Sequence, residues 1–184
     1  MSLSRCALAL SVLVACGGPA VASAQTPAAR PAAGPVLLID TAKGAIEVEL
    51  APSEAPKSVA RILELVKTNF YRGLRVHHAQ PGIVQFGDPQ TRNMQKAPDW
   101  GFGGSGRTIG VKETSRHTFD RGAVGYAYRA DQRPEDADSQ IFILRVGNPT
   151  LNGKYAYLGH VTKGLDVVDK LTVPDLIKNV TLKP

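Results

Sequence analysis

The stretch Val76-His77-His78-Ala79-Gln80-Pro81-Gly82-Ile83-Val84-Gln85-Phe86-Gly87-Asp88-Pro89 decides how the rest of the chain is read. Two short runs, Arg75–His78 and Ile83–Gly87, read as strands set off by a loop that contains Pro81 and Gly82. The paired histidines suggest a metal. Neighbouring strand residues point to opposite faces, so His77 and His78 cannot chelate one ion, and no metal is expected.

Upstream, Val36–Asp40 and Ala45–Leu50 flank a turn at Thr41–Gly44. Ile46, Val48 and Leu50 alternate with Glu47 and Glu49, the pattern of a half-buried strand in a hairpin. The period then changes. Val59, Ile62, Leu63 and Val66 fall at i, i+3, i+4 and i+7, which predicts an amphipathic helix ending near Asn69, with Pro56 in its first turn and Ser53 as its cap. Downstream, Thr108–Val111, Ala123–Arg129, Ser139–Leu144, Ala156–Thr162 and Val180–Leu182 read as further strands, and Leu165–Leu171 as a second short helix. The fold is mostly β: these nine short runs, enough for the eight or so strands of such folds, point within roughly 150 residues to a sandwich or a closed barrel. Two helices, one early and one late, suit caps on the ends of a barrel. No internal repeat is present.

The 184 residues suggest a single domain, expected over 36–184. Residues 1–24 read as a signal peptide: Arg5 is the basic start, Ala7–Ala15 the apolar stretch, and Ala22-Ser23-Ala24 the small-residue cleavage pattern. The apolar stretch is shorter than the roughly 20 residues a membrane span needs. Residues 25–35 read as a flexible Ala/Pro-rich linker. A second processing route is open, because Leu13-Val14-Ala15-Cys16 resembles a lipobox that would anchor the protein through a lipid on Cys16. Either route places the domain in the periplasm or outside the cell. Both cysteines, Cys6 and Cys16, lie in the leader, so cleavage after Ala24 leaves no disulfide, thiolate site or cysteine nucleophile. Loss of the leader removes one arginine and no acid, taking the net charge from +6 to +5. The basic residues are scattered and form no stripe with aromatics, so nucleic acid is not an expected partner.

Three other motifs fail on context. Gly101-Phe102-Gly103-Gly104-Ser105-Gly106 matches G-x-G-x-x-G, but it lacks the preceding strand and following helix of a dinucleotide site and reads as a conformationally demanding surface loop. His117, Asp120 and Ser139 could be drawn as a hydrolase triad, yet no nucleophile elbow surrounds Ser139. The acidic run within Asp131–Asp138 lacks the spacing and glycine of a calcium loop.

From Val36 to about Leu171 the chain resembles the cyclophilin family, in order and in spacing. The hairpin Lys43–Leu50, Ala55-Pro56-Lys57-Ser58-Val59, Phe70-Tyr71-Arg72-Gly73 and the opening stretch carry the likeness. So do Asp120–Val124, Ser139-Gln140-Ile141-Phe142-Ile143, Leu151-Asn152-Gly153-Lys154, Gly159-His160-Val161 and Gly164–Val168. The resemblance implies a closed eight-stranded antiparallel β-barrel capped by two α-helices. It implies a peptidyl-prolyl cis-trans isomerase that needs no cofactor and acts on proline-containing peptides. For an exported chain, the clients would be unfolded exported proteins, and a monomer is expected.

The reaction must lower a barrier of about 18–20 kcal/mol set by amide resonance. It requires an apolar seat for the proline ring and a donor aimed at the proline nitrogen, so that the twisted state is bound better than the planar one. Carried over by position, the resemblance places His78 and Gln140 as catalytic residues. It places His77, Ile83, Gln85, Tyr126, Phe142, Leu151 and Tyr155 against substrate, with Phe142, Leu151 and Tyr126 forming the proline pocket and Ile83 or Val84 near its edge. As alternatives, Phe142, Leu151 and Tyr126 could be plain barrel core and Gln140 a structural hydrogen bonder.

Three departures stand out. His78 falls where the family has arginine, so a permanent forked cation becomes a single imidazole with a reference pKa near 6.5. One residue is missing between Gly82 and Gln85. Tyr128 replaces an asparagine, and Thr150 stands where a large residue is usual, which implies weak affinity for cyclosporin-like ligands. Arg75 could stand in for the lost arginine only through a bulge, because on a regular strand it shares a face with His77. These departures leave a second reading open: a weak or inactive cyclophilin-like module that binds proline-containing segments without turning them over.

Overall fold

The computed structural model describes residues 34–184. Residues 1–24, read above as a signal peptide, with Cys16, and most of the stretch 25–35, read as a linker, lie outside the described residues. Among the described residues no helix is long and apolar enough to cross a membrane.

β1 (Val36–Thr41) and β2 (Gly44–Leu50) form the expected hairpin, with Val36 opposite Glu49 and Thr41 opposite Gly44. Gly44 has φ of 138°, open to residues without a Cβ, and the Thr41 hydroxyl closes the turn on its carbonyl at 2.7 Å. Leu37, Ile39, Ile46, Val48 and Leu50 are buried together, each worth about 1.5–3 kcal/mol of transfer free energy.

α1 (Pro56–Lys67) opens on Pro56 as expected and buries Val59, Ile62, Leu65 and Val66, with Leu63 only partly covered. Ser53 does not cap it. The cap comes from a distant carboxylate: Glu113 accepts from the Lys57 and Ser58 amides at 2.9 and 2.7 Å. A negative group there satisfies two free N–H groups and complements the helix dipole.

The expected strand Arg75–His78 is split into β3 (Leu74–Arg75) and β4 (His78–Gln80). β4 turns through Pro81-Gly82 into β5 (Ile83–Phe86). After a long loop come β6 (Ala123–Tyr126), β7 (Ile141–Leu144) and β8 (Tyr157–Lys163), then α2 (Leu165–Lys170) and β9 (Leu176–Leu182). Thr108–Val111 is not a strand. Ile109 and Gly110 instead donate singly to the Ala137 and Glu135 carbonyls.

The nine strands of the described residues form one antiparallel sheet in the order β3-β9-β1-β2-β8-β6-β7-β5-β4, where the family resemblance implied eight. Its two edges, β3 and β4, are separated in the chain by only Val76 and His77. Three peptide steps span at most about 10 Å, so the sheet must curl until its edges approach. The result is a curled half-barrel with two helices. Its interior holds Leu37, Ile39, Ile46, Val84, Phe86 and Ile143 among others.

Candidate active site

Ladder register builds the site. His78 pairs with Gln85, Gln85 pairs with Phe142, and Phe142 pairs with Gly125. Directly paired residues point to the same face, so one row crosses β4, β5, β7 and β6 on the outer surface. Strands lie about 4.8 Å apart, which sets His78 two steps, roughly 10 Å, from Phe142. The missing residue between Gly82 and Gln85 leaves an uninterrupted ladder against β7, with Ile83 opposite Leu144. Ile83 therefore shares the face of Gln85, while Val84 is fully buried inside.

Phe142 joins Phe119, Ala123, Ala127, Leu144 and Tyr157 in a second apolar cluster, with Ile83, Leu151 and Tyr155 packed on it half-buried. The Tyr155 ring meets Phe142 edge-on at 5.5 Å and stacks on Tyr128 at 4.6 Å. Ile83, Leu144 and Leu151 line an open apolar hollow of about 320 Å³ beside this cluster. Phe142 itself is only 3 % exposed because it sinks onto Gly125, where a Cβ would stand 2.1 Å from its ring tip. Gly125→Ala is expected to lift the ring, cost about 1–3 kcal/mol of stability and weaken binding of an Ala-Pro peptide. Denaturation and peptide titration of the variant check both.

Tyr126 is corrected by the same register. It is 1 % exposed in the sheet interior and its hydroxyl donates to the Asp138 carbonyl, so it is not part of the pocket cluster. Strand parity puts Gly125, not Tyr126, beside Phe142.

The polar side of the site is a chain of amides. Gln85 donates to the Gln140 Oε1 at 2.7 Å. Gln140 donates through Nε2 to the Gly101 and Gly103 carbonyls at 2.9 and 2.8 Å. Its orientation is fixed by chemistry, since two carbonyl oxygens must face the NH₂ end. Both Gln140 hydrogens are thus committed inside the protein. Gln85 keeps one N–H and its own oxygen beside His78, which is exposed.

His77 lies behind the row, against Gln140 and the Gly101 loop. It lies in the break between β3 and β4, beneath the loop, where a Cβ on Gly101 would stand 3.5 Å from its ring. Both ring nitrogens are buried without a hydrogen-bond partner among the described residues. Burial lowers its pKa to about 4, against a weaker upward pull from the Asp88 charge. The unfolded chain, with an ordinary histidine near 6.5, therefore binds the proton first. The share of stability set by His77 should be level above pH 6.5, fall by up to about 3 kcal/mol between pH 6.5 and 4, and level off below. Urea unfolding across pH tests this, with His77→Phe as the variant that should lose that share of the slope.

Arg75 supplies no replacement cation. Its guanidinium donates to the Pro174 carbonyl at 3.2 Å, away from the row of His78 and Gln85.

Sequence reasoning missed Ala127, Phe119 and Tyr157 in the pocket cluster and gave Asp88 no role. Asp88 is fully buried and receives the amides of Gln90, Gly101 and Gly103 at 2.8, 2.6 and 3.1 Å. The available signal was the glycine-rich motif, whose run of glycines implies a loop that folds tightly over something.

Residues 36–183 match the family described as cyclophilin type peptidyl-prolyl cis-trans isomerase/CLD. A probable peptidyl-prolyl cis-trans isomerase of Brucella suis is 37 % identical over 187 aligned positions, spanning all of this chain and 92 % of that protein. Peptidyl-prolyl cis-trans isomerase B of Bacillus subtilis is 36 % identical over 140 positions, covering 75 % of this chain and 90 % of its own length. Among solved structures, a cyclophilin-type isomerase of Cryptosporidium parvum superposes with a TM-score of 0.70 at 25 % identity, over 82 % of this chain and 98 % of that one. It has also been solved in the presence of the dipeptide Ala-Pro. A half-barrel with this strand order and match therefore belongs to the cyclophilin-type peptidyl-prolyl cis-trans isomerase family.

Proposed function

We propose that the chain rotates X–Pro bonds of exported polypeptides, with the proline ring seated against Ile83, Leu151 and Tyr155 over Phe142. The donor to the proline nitrogen is the His78 imidazole, and Gln85 orients the substrate backbone. Gln140 acts through Gln85 rather than by touching substrate. The observation that carries this reading is the ladder row His78–Gln85–Phe142, which sets an exposed donor beside an apolar floor. A donor placed there stabilises the pyramidal nitrogen of the twisted amide, whose lone pair is free only when resonance is broken. No covalent intermediate is required. In this reading the curled sheet is held as a closed barrel across Val76–His77, which keeps β4 in register.

The leader-like pattern over residues 1–24 and the cysteine-free sequence after it support a periplasmic or secreted protein acting on unfolded exported chains. Lipid anchoring through Cys16 is the alternative placement, and mass spectrometry of the mature N-terminus separates the two. For activity, the cis-to-trans rate of an Ala-Pro peptide should exceed the uncatalysed rate, which runs over tens to hundreds of seconds. Saturable peptide binding with no acceleration would instead favour the binding module.

A further inference from the structure

The turn Gly101-Phe102-Gly103 is gripped from two sides through the same two residues. Their N–H groups point to the Asp88 carboxylate, at 2.6 Å for Gly101 and 3.1 Å for Gly103. Their carbonyls point to the Gln140 amide, at 2.9 and 2.8 Å. Asp88 is anchored in turn, because its other oxygen caps the helical turn Pro89–Arg92 through the Gln90 amide at 2.8 Å. The glycines are required by this geometry. Gly101 has φ of 92°, and a Cβ on Gly103 would stand 2.2 Å from the Asp88 Oδ1. The chain of contacts then runs from Gln140 to Gln85 and, by register, to His78.

We propose that Asp88 is a positioning residue for isomerisation: through the Gly101–Gly103 turn it fixes Gln140, and through Gln140 it holds Gln85 in the orientation that faces His78. The proposal rests on the reading of Gln85 and His78 as the substrate-facing pair. It also gives the glycine-rich motif a role, as a rigid template of two carbonyls rather than a cradle for phosphate. Remote misplacement of about 1 Å can cost roughly a hundredfold in rate. The apolar seat, built from Ile83, Phe142, Leu151 and Tyr155, has no direct contact in this chain of hydrogen bonds. Loss of Asp88 should therefore lower kcat and spare KM.

The test is Asp88→Ala and Asp88→Asn in the full mature chain, assayed on an Ala-Pro peptide. Asp88→Ala should lower kcat about 10–100-fold with KM within about threefold. Asp88→Asn, which keeps an acceptor oxygen, should recover much of the loss. In the native protein the two side-chain N–H resonances of Gln140 should be distinct and protected. In Asp88→Ala they should collapse towards those of the exposed Gln95. If Asp88→Ala fails to fold, Gly103→Ala perturbs the same carboxylate with Asp88 in place and should give the same kcat and resonance changes. Unchanged kcat, or Gln140 resonances that stay protected without Asp88, overturns the proposal. If the native protein turns nothing over, the isomerase reading fails, and the resonances alone still decide whether Asp88 positions Gln140.

Discussion

His78→Arg is expected to raise kcat/KM on an Ala-Pro peptide by about tenfold or more. Each tenfold corresponds to about 1.4 kcal/mol of transition-state stabilisation. An arginine at this exposed position would bring a permanent charge and several donors in a planar fork, and charge-assisted hydrogen bonds are roughly twice as strong as neutral ones. The gain should come mainly in kcat, because the apolar seat that binds the proline ring is untouched. A rate equal to or below that of the native protein would show that position 78 does not face the reacting nitrogen.

Phe142→Ala should cause the largest loss. The ring is 3 % exposed and contacts Phe119 at 5.8 Å and Tyr155 at 5.5 Å, so its removal leaves a cavity under both. About 3–5 kcal/mol of stability should go with it. Activity should drop about a hundredfold in the fraction that stays folded, because Ile83, Leu151 and Tyr155 lose the cluster they pack on. Phe142→Leu, which keeps most of the volume, should retain more than half of that stability. Calorimetry with parallel peptide assays separates the two effects, and a folded Phe142→Ala variant with native turnover would remove Phe142 from the site.

Residues whose neighbours are local were legible in the sequence. The hairpin Val36–Leu50 announced itself by alternation, and α1 by its 3.6-residue period. Phase was not legible where both faces of a strand are apolar. β6 and β7 are buried at every position, so Ala123–Tyr126 and Ile141–Leu144 carry no polar alternation to say which residues face out. The resemblance carried Tyr126 into the pocket by position, and β6 offered no polar alternation that would have pointed to Gly125 instead. Register with β7 settles it, and register is a property of the pair rather than of either strand. Long-range capping was equally invisible: Glu113 reaches α1 from 55 residues away, and Asp88 reaches Gly103 from 15. The split of Arg75–His78 into two strands has the same cause, since β3 is held by β9 and β4 by β5, partners on opposite sides of the curl.

Turnover should rest on one side chain. His78 offers an imidazole N–H where the family has a forked guanidinium, so that donor should carry most of the acceleration. The most direct test is kcat/KM for an Ala-Pro peptide with the native protein and with His78→Ala. The native protein should accelerate isomerisation above buffer, and most of the acceleration should be absent in His78→Ala. A native rate equal to buffer, or a His78→Ala variant with full activity, would contradict this role.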